Sequence, residues 1–388
     1  MIVSIGYLSK KMLIPLLIPV IYILRHYILK ELNNIEKKCI FINTFIVSLS
    51  YCFNIILLII ENKLIKSIKI ENQDKKYDNQ LLIEKTKIEK KKKFKSIIFL
   101  ILISLFNYFN FQIYDIIKIY MPQKYHQYYF YPISITIFFL STALLSYLLL
   151  GTKIYKHQKI SMIISPILSL FMFMVFGFKE GRIDVQILLY SIICVITRNF
   201  RFILMVFGKL FAEKYYVTQT KLLSFFGICG LILSLITNII SYLIEFDIPE
   251  NKKEFIGGRL RNIFDYWENI NKVLFILTIF LWFIENYLIW FCIYTFDPNH
   301  YIIFRNISSI LVTLKTLFDD NIFDFILIIV YFFSFGGIFI CGLIFNELII
   351  IRICNLEKYT AIELDKRHKE ETEKIINFND DILSNSSY

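Results

Sequence analysis

Arg198 and Arg201, together with the adjacent pair Glu285 and Asn286, lie deep inside long apolar runs. Charged and amide side chains are expensive at membrane depth and face either the protein interior or a wet cavity. The two arginines are three residues apart, so they share one helical face of Val185–Gly208, with Asn199 beside them. Glu285 and Asn286 fall near the middle of Val273–Phe296 between Trp282 and Trp290. Asp115 and Lys118 are also three apart, in Phe111–Tyr120, a stretch that includes Gln112. Asp324 and Glu347 mark the two halves of the last apolar stretch. An arginine fork binds phosphate or carboxylate, and a carboxylate accepts from ammonium or guanidinium. Two uses follow for this set. The charges are internal ion pairs holding helices in register, for example Glu285 with Arg198 or Arg201, or they line a hydrophilic path at several depths. On the sequence both stay open.

The elements that must position these residues are helices of bilayer length. A hydrocarbon core of ~30 Å needs about 20 apolar residues as helix. Ile40–Ile60, Tyr131–Leu150, Val185–Gly208, Leu222–Ile244, Val273–Phe296 and Ile322–Ile351 each supply such a run. With 56% hydrophobic residues, a mean hydropathy of +0.57, and 7 Pro and 12 Gly in 388 residues, the chain reads as all-α. We expect a polytopic helical membrane protein of about eight transmembrane helices plus one or two re-entrant or half-spanning helices. Residues 1–351 form the transmembrane domain and 352–388 a charged cytoplasmic tail that is partly disordered. The first span, Met12–Leu29, is expected to end on snorkelling basic residues, Arg25, His26 and Lys30.

Loop charge sets the expected orientation. Glu61–Lys95 carries twelve Lys against six acids, which places it, and both termini, in the cytoplasm. Its Lys90, Lys91, Lys92, Lys93 and Lys95 abut the next span, where they would touch anionic lipid of the inner leaflet; the same run also serves simply as a topology signal. Gly151–Lys159 and Lys209–Lys221 are basic and cytoplasmic in the same scheme. Beyond them a single crossing by Leu222–Ile244 would put Lys252, Lys253, Arg259 and Arg261 outside. A re-entrant Leu222–Ile244, marked by Gly227 and Gly230, keeps them inside and gives eight spans; two further crossings give ten. Because Tyr301–Leu317 is interrupted by Arg305 and Lys315, eight is the expectation, with the sequon Asn306-Ile307-Ser308 exposed outside.

Soluble-enzyme signatures are absent: there is no GxxxxGK[ST], GxGxxG or HExxH, and the five His are scattered. The chain is therefore expected to be no enzyme and to use no cofactor or metal. Cys52, Cys194, Cys229, Cys292 and Cys341 sit in apolar runs as small hydrophobes. The net charge of +11 accompanies heavy use of Lys, Asn, Ile, Phe and Tyr, a pattern of AT-rich coding, and is not taken as a sign of nucleic acid.

The order of features resembles the XK-related family of lipid scramblases. Phe111-Gln112-Ile113-Tyr114 stands for that family's early Gln/Tyr region, and Ile133–Leu150 with Ser134, Ser141 and Ser146 for its serine-bearing span. Arg198–Phe207 or Arg201–Phe207 corresponds to an Arg-led helix, with Gly258-Arg259-Leu260-Arg261 as the basic stretch before the Glu-Asn span. Phe283-Ile284-Glu285-Asn286 followed by Trp290 matches that span, and Phe335–Glu347 the Gly-containing last one. The resemblance covers residues ~100–350 by order and helical periodicity; the family's early Pro-Gln and its first-span aspartates are missing. It implies passive, ATP-independent movement of phospholipids between leaflets of a plasma membrane, with headgroups passing Arg198, Arg201, Glu285, Asn286, Gln112, Asp115, Lys118 and Glu347. A partner protein or homo-oligomer stays open. The alternatives are a secondary transporter, for which internal repeats and broken helices are expected, and a scaffold or receptor acting through the Lys-rich loop and tail.

Overall fold

The computed structural model describes residues 3–5, 14–36, 42–71, 94–113, 131–180, 185–215, 217–243, 272–296, 298–319, 325–351, 360, 363–364 and 366. Among these are ten long helices: α1 (Leu17–Glu36), α2 (Ile42–Glu71), α3 (Phe94–Ile113), α4 (Tyr131–Leu150), α5 (Lys156–Glu180), α6 (Val185–Tyr215), α7 (Gln219–Leu243), α8 (Lys272–Thr295), α9 (Pro298–Asp319) and α10 (Phe325–Phe345). Five segments are long and apolar enough to cross a membrane: Thr44–Lys63, Phe94–Ile113, Gln219–Thr237, Lys272–Thr295 and Ile328–Phe345. The chain is a helical, multi-pass membrane protein; the expected count of about eight is not reached by this criterion. Large apolar side chains such as Ile232, Leu235, Ile236, Ile239, Phe332 and Phe333 are exposed, as a lipid-facing surface requires and a water-facing one does not tolerate.

Two short strands add a feature that an all-α reading omits. Strand β1 (Val3–Ile5) pairs antiparallel with β2 (Ile349–Ile351), Val3 opposite Ile351 and Ile5 opposite Ile349. Because β2 follows α10 directly, Val3–Ile5 lies beside the end of that helix.

The re-entrant reading of Leu222–Ile244 is overturned. That segment belongs to one unbroken 25-residue helix, α7, about 37 Å long at 1.5 Å per residue. It lies antiparallel on α2: Thr220 bonds Glu61, Gly227 meets Tyr51 and Cys52, and Gly230 meets Ser48. The contacts run from Thr220 to Gly230, about three turns at 3.6 residues per turn. Gly227 and Gly230 break nothing; they let the two backbones touch. A Cβ on Gly227 would stand 2.6 Å from the Cys52 amide nitrogen and 2.8 Å from the Tyr51 carbonyl carbon. Gly227→Val should therefore cost about 1–3 kcal/mol or more, read as a lower thermal midpoint and less monodisperse protein. Gly336→Ala, with open space around its Cβ, should stay near wild type; equal behaviour of the two variants would show that the α2–α7 contact is not tight.

The start of α8 lies at the end of α2 far from Glu61. In the return direction, α8 brings Phe275 and Ile279 to Ile46, Asn286 to Tyr51, and its Tyr287 carbonyl to Gln219. The first part of Tyr301–Leu317 is packed within the protein. Tyr301, Ile302, Ile303 and Phe304 are buried, Asn306 is 2% and Ser308 0% exposed, and the Ser308 hydroxyl bonds the Phe304 carbonyl at 2.9 Å. Arg305, the residue that argued against a span, stacks over the Tyr22 ring at 4.3 Å. Single cysteines in 250–270 should label from the face opposite cysteines in 72–93, and Asn306 should carry no glycan. Labelling of both loops from one side would restore the re-entrant topology.

Candidate functional site

The charged centre begins on α1. Ile18, Tyr22 and Arg25 recur at i, i+4 and i+7, one helical stripe, and all three are buried at 1%, 7% and 6% exposure. The stripe that buries two apolar bodies therefore aims a guanidinium into the bundle. There Arg25 Nε meets Glu285 Oε2 of α8 at 2.6 Å. Trp282, one turn before Glu285 and on the same face, stacks its ring 3.6 Å below the same guanidinium.

Glu285 was expected to pair with Arg198 or Arg201; its partner is Arg25. The expectation that Glu285 needs a basic partner holds, and the identity of that partner is corrected. Arg25 does not snorkel from the end of a first span: α1 runs on to Glu36, which leaves Arg25 in its interior. Arg201 lies partly buried on α6, its guanidinium 4.9 Å from the Phe111 ring of α3. Arg198 is within α6; its side chain is outside the described set.

Asn286 is 1% exposed and accepts from the Tyr51 hydroxyl of α2 at 3.2 Å. The Tyr51 ring packs edge-on against Phe226, which in turn meets the Trp290 ring of α8. Three helices, α1, α2 and α8, thus contribute to one polar centre built on the Glu-Asn pair.

Gln112 belongs to a second polar seam. Its Nε2 donates to the Tyr108 hydroxyl at 3.0 Å, and Tyr108 shares a 2.6 Å bond with Thr237 of α7. Glu347 lies apart from both, past the end of α10 with φ +58°, where its Oε1 is 3.3 Å from His157 Nε2 of α5. Asp115 and Lys118 lie outside the described residues, as do Asp324 and Lys90, Lys91, Lys92 and Lys93; Lys95 is exposed at the start of α3. Of the predicted set, Glu285 and Asn286 meet in one centre with Arg25 and Tyr51, Arg201 lies against the Phe111 ring, and Gln112 and Glu347 sit in separate clusters.

The sequence reading missed Arg25, Tyr22 and Tyr51. For Arg25 a signal existed in the Ile18/Tyr22/Arg25 spacing, which continues an apolar stripe through the charge. Tyr51 offered none, since one tyrosine in an apolar run of an aromatic-rich chain is unremarkable by composition. Among the described residues no group of three or more His, Cys, Asp or Glu is placed to hold a metal ion. No family model matches the chain, and no curated protein matches it.

Proposed function

We propose that this chain moves phospholipids passively between the leaflets of a membrane, as its resemblance to the XK-related scramblases implies. The observation that supports it most is the polar centre of Arg25, Glu285, Tyr51 and Asn286 within long apolar helices. A polar group left unmet in an apolar interior costs about 1–3 kcal/mol, and here the buried Asn286 amide nitrogen is left without an acceptor. A phosphate headgroup passing between helices offers the missing oxygens, while its acyl chains stay in lipid.

In this reading all ten long helices cross, the termini and the Lys-rich loop face the cytosol, and the plasma membrane houses the protein. Lys90–Lys93 and Lys95 hold the cytosolic end against anionic lipid. Passive exchange needs no nucleotide site, in keeping with the missing phosphate-cradling motifs. The ion pair between Arg25 and Glu285 closes the centre on one side and neutralises the acid that would repel phosphate.

Reconstitution into sealed vesicles carrying a headgroup-labelled lipid tests the proposal. A membrane-impermeant reductant should bleach nearly all of the label without ATP or an ion gradient, against about half in protein-free vesicles. Bleaching of half the label by sealed vesicles holding folded protein would favour the transporter and scaffold alternatives.

A further inference from the structure

Glu347 holds a backbone conformation that its residue type disfavours. Helix α10 ends in two capping bonds, from the Leu348 N–H to the Leu343 carbonyl at 2.9 Å and from the Glu347 N–H to the Ile344 carbonyl at 3.1 Å. This pair of bonds puts Glu347 just past the helix in the left-handed region, at φ +58°, where glycine is the usual occupant and a Cβ is penalised. The helix stop itself asks only for glycine. A glutamate there has to be explained by what its carboxylate reaches.

It reaches His157, the second residue of α5. His157 Nε2 is 3.3 Å from Glu347 Oε1, and the histidine is 4% exposed. Neither ring nitrogen has a hydrogen-bond partner, so the approach depends on charge more than on directed bonding. The next residue completes the grip: Gln158 Nε2 donates to the Phe345 carbonyl at 2.8 Å, and Gln158 Oε1 accepts from the Tyr155 amide at 2.8 Å. Helix α5 thus holds the end of α10 by one neutral bond and one contact whose strength follows protonation. Between about pH 5 and 8 an imidazole changes charge while a carboxylate ordinarily does not.

Other ionisable groups around the pair are few among the described residues. Tyr155 stacks on His157 at 6.1 Å between ring centroids, and Lys156 and Lys159 lie exposed on the same helix. Helix α4, which meets α5 through Thr136 and Ser165, carries no acidic or basic side chain, and neither do β1 and β2. Helix α9, whose Asn299 carbonyl accepts from Asn346 at 3.5 Å, adds His300.

Just past Glu347 the chain enters β2, whose Ile349–Ile351 pair with Val3–Ile5. Whatever fixes the Glu347 turn therefore fixes where the strand pair begins. We propose that His157 and Glu347 form a proton-operated latch. With His157 charged, the ion pair holds the disfavoured turn and the strand pair behind it; with His157 neutral, the turn loosens. The latch stands on the junction of α5 and α10 and not on the lipid-moving function proposed above.

Hydrogen exchange of the full chain in a non-ionic maltoside micelle reads this junction. The backbone amides of Glu347–Ile351, corrected for the intrinsic effect of pH on exchange, should be at least about threefold more protected at pH 5.5 than at pH 8.0. Glu347→Gly removes the carboxylate and relieves the backbone together, so its protection relative to wild type should be at least about threefold lower at pH 5.5 than at pH 8.0. Glu347→Gln, which keeps the strained backbone and loses the charge, should be less protected than wild type at pH 5.5. His157→Gln should flatten the pH response, and His300→Gln should keep it. The latch is refuted if wild-type protection is equal or higher at pH 8.0, or if Glu347→Gly stands in the same ratio to wild type at both pH values. Retention of the response by His157→Gln, or its loss in His300→Gln, would equally refute it. The wild-type comparison needs no substitution, so the proposal can fail even where a variant does not fold. Its failure leaves the lipid-moving proposal standing, and the reverse also holds.

Discussion

Glu285→Ala should sharply reduce the yield of folded protein, and Arg25→Ala should do the same. Each variant strands one buried charge of a pair whose members are 6% and 3% exposed and 2.6 Å apart. Breaking such a pair costs about 3–5 kcal/mol, because the remaining ion keeps its desolvation penalty and loses its compensation. Arg25 loses the more from this change, since among the described residues its other contacts are the rings of Trp282 and Tyr22. Replacing both partners by apolar residues of similar volume, Arg25→Met with Glu285→Leu, removes both penalties together. That double variant should recover most of the thermal midpoint in detergent, giving a coupling of several kcal/mol in the cycle. Strictly additive losses would mean that the two side chains do not depend on each other. A parallel cycle of Glu285 with Arg201 should be close to additive, which separates the observed pairing from the one that the sequence suggested.

The contrast between those two cycles shows where sequence reading stopped. Glu285 was legible because a carboxylate in the middle of an apolar run has few innocuous explanations. Its partner was not, because the bond joins residues 260 positions apart and nothing in helical periodicity ranks one distant arginine over another. Arg25 was discounted because basic residues commonly end a span, yet the stripe of Ile18 and Tyr22 carries straight through it into the bundle.

Glycine spacing misled for a different reason. Gly227 and Gly230 are compatible with a break and with a close crossing, and only the presence of Tyr51, Cys52 and Ser48 against them decides for the crossing. The same holds for Arg305, which looked too polar for a spanning helix until the Tyr22 ring was found beneath it. Composition and periodicity are local properties and gave the helices. Which polar residue compensates which is a tertiary property, and it decided both the topology and the membership of the polar centre.

Removal of the charge at Arg201 should slow lipid exchange in reconstituted vesicles by about tenfold or more while leaving the protein folded. The size follows from the loss of a charge-assisted hydrogen bond, worth about 1.5–3 kcal/mol, from the passage of the headgroup; each 1.4 kcal/mol is a factor of ten in rate. Folding should survive Arg201→Gln because the described contact of Arg201 is an aromatic ring at 4.9 Å, whereas Arg25 is bonded to a buried acid. Arg201→Lys keeps the charge but loses the planar fork, so its rate should fall between Gln and wild type. The vesicles must exclude a small soluble dye throughout, since leakage alone also bleaches the inner leaflet. Wild-type rates in sealed vesicles bearing folded Arg201→Gln would remove the phosphate contact from the path. A graded series, wild type above Lys above Gln, would tie the rate to the geometry of the guanidinium as well as to its charge.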